Sequence, residues 1–153
     1  VETVFTAAEC LVFPQLKRKI PEFVDQTMIT LKFADRSLGM IDGSLNAKYG
    51  YDVRTELFGT EGMIAVGTIQ RAPVVVYSTT GGSAQTSFLG DRQTPHFAQR
   101  FDAAYLAEMI HFVRTICDDL PAMPSVKDGR AALDIGLAAF RSTYSKKPER
   151  VLR

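Results

Sequence analysis

The chain has 153 residues, of which 46% are hydrophobic and 23% charged, with a formal net charge of +1. That length and balance describe a single globular domain able to bury a real core, and they exclude a disordered chain. A net charge so near zero gives no long-range field to draw in nucleic acid or an anionic membrane, and no apolar run is long enough for a membrane span.

The two cysteines, Cys10 and Cys117, lack a second Cys or a His at metal-ligand spacing, which argues against zinc or another metal site. With no signal peptide, they read as reduced thiols in a cytoplasmic protein.

In chain order, Val1 to Phe13 is expected as a long strand. Lys17-Arg18-Lys19 falls between Pro14 and Pro21 and reads as a solvated loop, not a phosphate site. From Thr27 to Phe33, the residues Thr27, Ile29, Leu31 and Phe33 alternate with Gln26, Met28, Thr30 and Lys32, the period of a half-buried strand. The polar turn at Ala34-Asp35-Arg36-Ser37 leads to a second strand over Leu38 to Ala47, so the pair predicts a hairpin. Further strands are expected at Val53 to Phe58, Met63 to Ile69 and Val74 to Ser78, with Gly59-Thr60-Glu61-Gly62 as a tight turn. Thr79 to Gly90, rich in Gly, Ser, Thr and Gln, reads as a loop.

The second half changes period. Thr94-Pro95 is a good helix start, and Phe97, Phe101, Tyr105, Met109, Val113 and Ile116 then form one apolar stripe as far as Leu120. Pro121 and Pro124 end that helix. Ser125-Val-Lys-Asp128 has the form of a capping box, with Asp in place of the usual Glu or Gln. The helix it opens runs to about Ser145, with Lys146 and Lys147 suited to its C-terminal dipole and Pro148 as a stop. Strands first and helices second predict an α+β fold, a mostly antiparallel open-faced sheet of about five to seven strands with two C-terminal helices on one face. Two helices cannot cover both faces of such a sheet. The uncovered face, with Gln26, Met28, Thr30 and Lys32, is either solvated or a subunit interface.

Tyr49-Gly50-Tyr51-Asp52 is the segment with the most chemical content. Regular alternation across Gly50 puts both phenols on one face, where rings can stack on C–H groups and hydroxyls can bond hydroxyls. The plain alternative is an aromatic plug at the end of the sheet. Arg54 and Glu56 on one strand and Asp42 on the strand before it are read as a cross-strand ion pair. His96 and His111 each lack a partner at catalytic spacing, no Gly-x-Ser-x-Gly is present, and Gly81-Gly82 lacks the strand–turn–helix context of a dinucleotide fingerprint. No catalytic, cofactor-binding or metal-binding residue is assigned.

Several stretches together resemble the Gfo/Idh/MocA family of sugar dehydrogenases, most closely the inositol 2-dehydrogenases. Phe33-Ala-Asp-Arg-Ser-Leu-Gly39 is similar to the family's hairpin, and Asn46-Ala-Lys-Tyr-Gly-Tyr-Asp-Val-Arg54 is the most specific match. Glu56-Leu-Phe-Gly-Thr-Glu-Gly62, Arg100-Phe-Asp-Ala-Ala-Tyr-Leu-Ala-Glu108 and Pro124-Ser-Val-Lys-Asp-Gly-Arg-Ala-Ala-Leu133 resemble its later turn and its two helices. The resemblance implies that residues 1–153 are one C-terminal α/β domain, which binds substrate and forms oligomers through its open sheet. It also implies a preceding Rossmann domain, absent from this chain, that binds NAD or NADP and carries the catalytic Lys and Asp-x-x-x-His. On that basis Tyr49 and Tyr51, with Asp52 as a weaker neighbour, are the expected substrate-binding residues for a polyol or sugar. This segment alone is expected to be inactive. The alternative is a stand-alone, non-catalytic α+β binding or assembly module. A third reading keeps the family and changes the substrate to another sugar or a dihydrodiol.

Overall fold

A computed structural model describes residues 1–46, 53–67 and 97–152, with the backbone alone at 99 and 100. Two compact units are present: Val1–Asn46 with Arg114–Arg153, and Ala47–Val113.

The first unit is built on a four-stranded antiparallel sheet. Its strands are β1 (Thr3–Glu9), β2 (Gln26–Lys32), β3 (Leu38–Ser44) and the two-residue β6 (Glu149–Arg150), in the order β3-β2-β1-β6. The alternation expected in β2 is present: Thr27, Ile29 and Leu31 are half-buried, whereas Met28, Thr30 and Lys32 are exposed. Register carries the same division across the sheet. Val4 faces Leu31, Thr6 faces Ile29, and Ile29 faces Ile41 on the inward side. Phe5 faces Thr30, which faces Met40, on the outward side.

Helix α4 (Val126–Ser145) packs against β1 and covers the inward face. Buried Ala138 and Ala139 meet buried Val4 there, with Ile29, Leu31, Ile135 and Val151 packed around them. Alanines let the helix come close to the sheet, and full burial of a side chain such as Val4 contributes about 1.5–3 kcal/mol. Within the sheet β2 and β3 also lie close, and a Cβ on Gly43 would fall 2.7 Å from Thr27 Oγ1. Among the described residues nothing comparable covers the outward face, where Leu38 and Met40 are 79% and 69% exposed.

The first strand is shorter than the expected Val1 to Phe13. It stops at Glu9, and the segment read as a loop between Pro14 and Pro21 contains a short helix, α1 (Pro14–Lys19). Proline fits the first helical turn because the N–H it lacks would have no partner there. Lys17, Arg18 and Lys19 make up the last turn of α1, where cations suit the helix dipole. Strand β6 was not expected from the sequence. It pairs Arg150 with Thr3 and Glu149 with Val4, and Val151 N–H donates to Glu2 O at 3.1 Å.

The β2–β3 hairpin closes as its polar turn predicts. Asp35 Oδ1 accepts from Ser37 N–H (3.0 Å) and Ser37 Oγ (2.7 Å), while Arg36 occupies the left-handed region at φ 75°. A side chain there costs roughly 1 kcal/mol against glycine. Arg36→Gly is therefore expected to raise unfolding stability by about 0.5–1 kcal/mol in urea titration, with the slope unchanged.

Helix α4 begins with the expected capping box: Asp128 N–H donates to Ser125 Oγ, and Ser125 N–H donates to Asp128 Oδ2 at 2.7 Å. It ends on Lys146 at φ 56°. Pro148 follows two residues later.

In the second unit, β4 (Thr55–Gly59) and β5 (Gly62–Val66) form a hairpin in which Gly59 faces Gly62. Gly62 has φ 155°, a value side-chain-bearing residues rarely adopt. The single helix expected from Thr94 onward is divided, among the described residues, into α2 (Phe97–Arg100) and α3 (Asp102–Cys117). The division falls at Phe101, next to an Asp102 carboxylate that accepts from Ala103 N–H at 2.6 Å. Such local side-chain bonding competes with regular helix. The stripe of Tyr105, Met109, Val113 and Ile116 is exposed along α3. That helix stops before the prolines: Asp119 turns left-handed at φ 49°, and Leu120 N–H reaches back to Thr115 O at 3.0 Å. This is the closing pattern of many helix C-termini. The proposed strand at Val74 to Ser78, the loop at Thr79 to Gly90 and the Thr94-Pro95 start lie outside the described residues.

The fold class is the one expected. Antiparallel strands precede two long helices, and the outward residues Met28, Leu38 and Met40 of the main sheet are exposed.

Candidate functional site

The end of the main sheet where Glu9, Gln26 and Ser44 lie side by side gathers three chain connections. There β1 leaves towards α1, β2 begins, and β3 leaves towards the tyrosine segment. Asp25 sits at this junction and is only 2% exposed. Its carboxylate accepts from Leu11, Val12 and Phe13 N–H, each at 2.8 Å. The Cys10 thiol lies 3.5 Å from Oδ2. Because these three amides point at Asp25, they cannot continue the β1 ladder, which is why the strand stops at Glu9.

Burial works against ionisation of Asp25, but the Leu11, Phe13 and Val12 amides and the Cys10 thiol outweigh it and hold the carboxyl below its usual range. The same contact acts in reverse on Cys10. Burial, followed by the hydrogen bond and charge of Asp25, pushes its thiol up. Cys10 is thus a structural thiol and not an activated one.

The exit of β3 is held as well. Leu45 N–H donates to Asp25 O at 3.0 Å. Ser44 Oγ accepts from Asn46 N–H at 3.1 Å and from Gln26 Nε2 at 2.8 Å. Tyr49, Tyr51 and Asp52, the residues singled out from the sequence, lie outside the described residues, as does His96. Asp42 faces Met28 in the β2–β3 ladder, whereas Glu56 faces Ala65 in β4–β5. Among the described residues, β3 is paired with β2 and β4 with β5. Asp25 itself escaped the sequence reading, since its partners are 12 to 14 residues upstream and no local spacing announces them.

A cleft of about 400 Å³ opens beside the first half of α4, lined by Val1, Lys127, Arg130, Asp134, Ile135 and Val151. Arg130 Nε bonds both Asp134 oxygens at 2.9 and 3.0 Å, so those two charges neutralise each other within the helix. Among the described residues, no group of three or more His, Cys, Asp or Glu could hold a metal ion, and no helix is long and apolar enough to cross a membrane. A nucleotide phosphate does not fit the turn from β1 into α1. The connection from β1 to α1 contains no glycine, and its three consecutive amides are already taken up by Asp25.

Comparison with known proteins gives this geometry a family. The description "oxidoreductase family, C-terminal alpha/beta domain", of the Gfo/Idh/MocA group, matches residues 2–151. A myo-inositol 2-dehydrogenase of Thermotoga maritima is 33% identical over 147 residues, covering 96% of this chain and 42% of that protein. A scyllo-inositol 2-dehydrogenase (NAD(+)) of Bacillus subtilis is 30% identical over 125 residues, or 82% of this chain and 34% of that one. The crystal structure of a myo-inositol dehydrogenase from Corynebacterium glutamicum is 28% identical and superposes with a TM-score of 0.77, over 99% of this chain and 44% of that one. The chain thus spans well under half the length of these relatives. With a match from residue 2 to residue 151 and a shared fold, the chain belongs to the Gfo/Idh/MocA oxidoreductase family and is its C-terminal α/β domain.

Proposed function

We propose that this domain binds substrate and mediates assembly in an NAD- or NADP-dependent dehydrogenase that oxidises a ring hydroxyl of inositol or a related sugar. The observation that carries the reading is the 33% identity to a myo-inositol 2-dehydrogenase across 96% of the chain. The Tyr49-Gly-Tyr-Asp52 segment supplies the matching chemistry. Tyr49 and Tyr51 lay ring faces against the substrate's C–H groups and bond its hydroxyls, and Asp52 accepts a further hydroxyl or orients the segment.

Hydride transfer requires a nicotinamide held against the substrate carbon and a base at the alcohol proton. In this reading both belong to a Rossmann domain preceding the present residues, and this domain alone is inactive. Phenols titrate near pH 10 and are poor bases at neutrality, so the tyrosines position substrate and leave proton transfer to other groups. The protein works in the cytoplasm, and a second copy covers the outward sheet face. Exposed Leu38, Met40 and Met28 supply the apolar surface such an interface needs.

Tyr49→Phe in the full-length protein is expected to raise KM for myo-inositol by about tenfold, with kcat within twofold of wild type. A large fall in kcat at saturating substrate with KM unchanged would contradict the positioning role.

A further inference from the structure

We draw no further inference here: the strongest candidate, the cleft of about 400 Å³ beside the first half of α4, carries nothing, because its Arg130 and Asp134 are bonded to each other and nothing in the structure shows what covers its Val1, Ile135 and Val151 lining.

Discussion

Asp25→Asn lowers the midpoint of thermal unfolding by about 10 °C at neutral pH. The amide has the shape of the carboxylate but one acceptor oxygen fewer. If its oxygen takes the place of Oδ2, it keeps Val12 and Phe13, and the NH2 group then faces the Leu11 N–H, donor against donor. The opposite orientation loses two amides instead of one. Either way, buried N–H groups are left without acceptors at a junction of three chain passes.

The same substitution changes the pH dependence of stability, and its sign follows from the depressed carboxyl of Asp25. A group whose folded pKa lies below its unfolded value, about 3.9 for Asp, contributes stability that is present above that pH. The contribution is lost as pH falls through the folded pKa. The wild-type chain therefore loses stability steadily below about pH 4, and Asp25→Asn flattens that limb. It does not abolish it. Asp35 is depressed by the Ser37 hydroxyl and amide, Asp128 by the Ser125 amide and hydroxyl, and both contribute with the same sign. Urea titrations at a series of acidic pH values measure the difference, and parallel acid limbs in the two proteins would contradict the assignment.

Ser142→Ala is expected to destabilise the chain by about 2–3 kcal/mol. Ser142 is 0% exposed. Its hydroxyl accepts from Thr6 N–H at 2.9 Å and donates to Lys147 O at 2.7 Å. Thr6 needs this acceptor because β6 is only two residues long and pairs no further along β1 than Val4. The side of β1 that would bond a longer neighbour bonds a helix side chain in its place. Removing the hydroxyl leaves the Thr6 N–H buried and unpaired, which accounts for most of the loss. Ser145 provides the control. Its hydroxyl also approaches Lys147 O, at 3.4 Å and in an exposed position, so Ser145→Ala is expected to stay within about 0.5 kcal/mol of wild type. Equal effects from the two substitutions, by urea titration, would show that Ser142 does not complete the sheet in this way.

Local pattern was a reliable guide wherever the determining contacts are close in sequence. The alternation of β2, the Asp35–Ser37 turn and the Ser125–Asp128 capping box were all legible, because each depends on residues two or three positions apart. It failed where partners are distant. Nothing near Asp25 shows that Leu11, Val12 and Phe13 will bond to it, and so β1 looked longer than it is. The two prolines flanking Lys17-Arg18-Lys19 suggested a loop, although Pro14 is well suited to open α1. Strand β6 has two residues and no periodicity to recognise. For the site, the sequence marks Tyr49, Tyr51 and Asp52 through their resemblance to inositol dehydrogenases, and the structure contributes the buried Asp25 junction at the end of the main sheet.

The central claim is tested most directly by incubating the full-length protein with NAD or NADP and a panel of inositols and sugars, and following formation of the reduced nicotinamide. The account predicts turnover with at least one inositol, and a raised KM for that substrate when Tyr49 and Tyr51 are both changed to phenylalanine. Absence of turnover across the panel, from a folded protein shown to bind the cofactor, would contradict it.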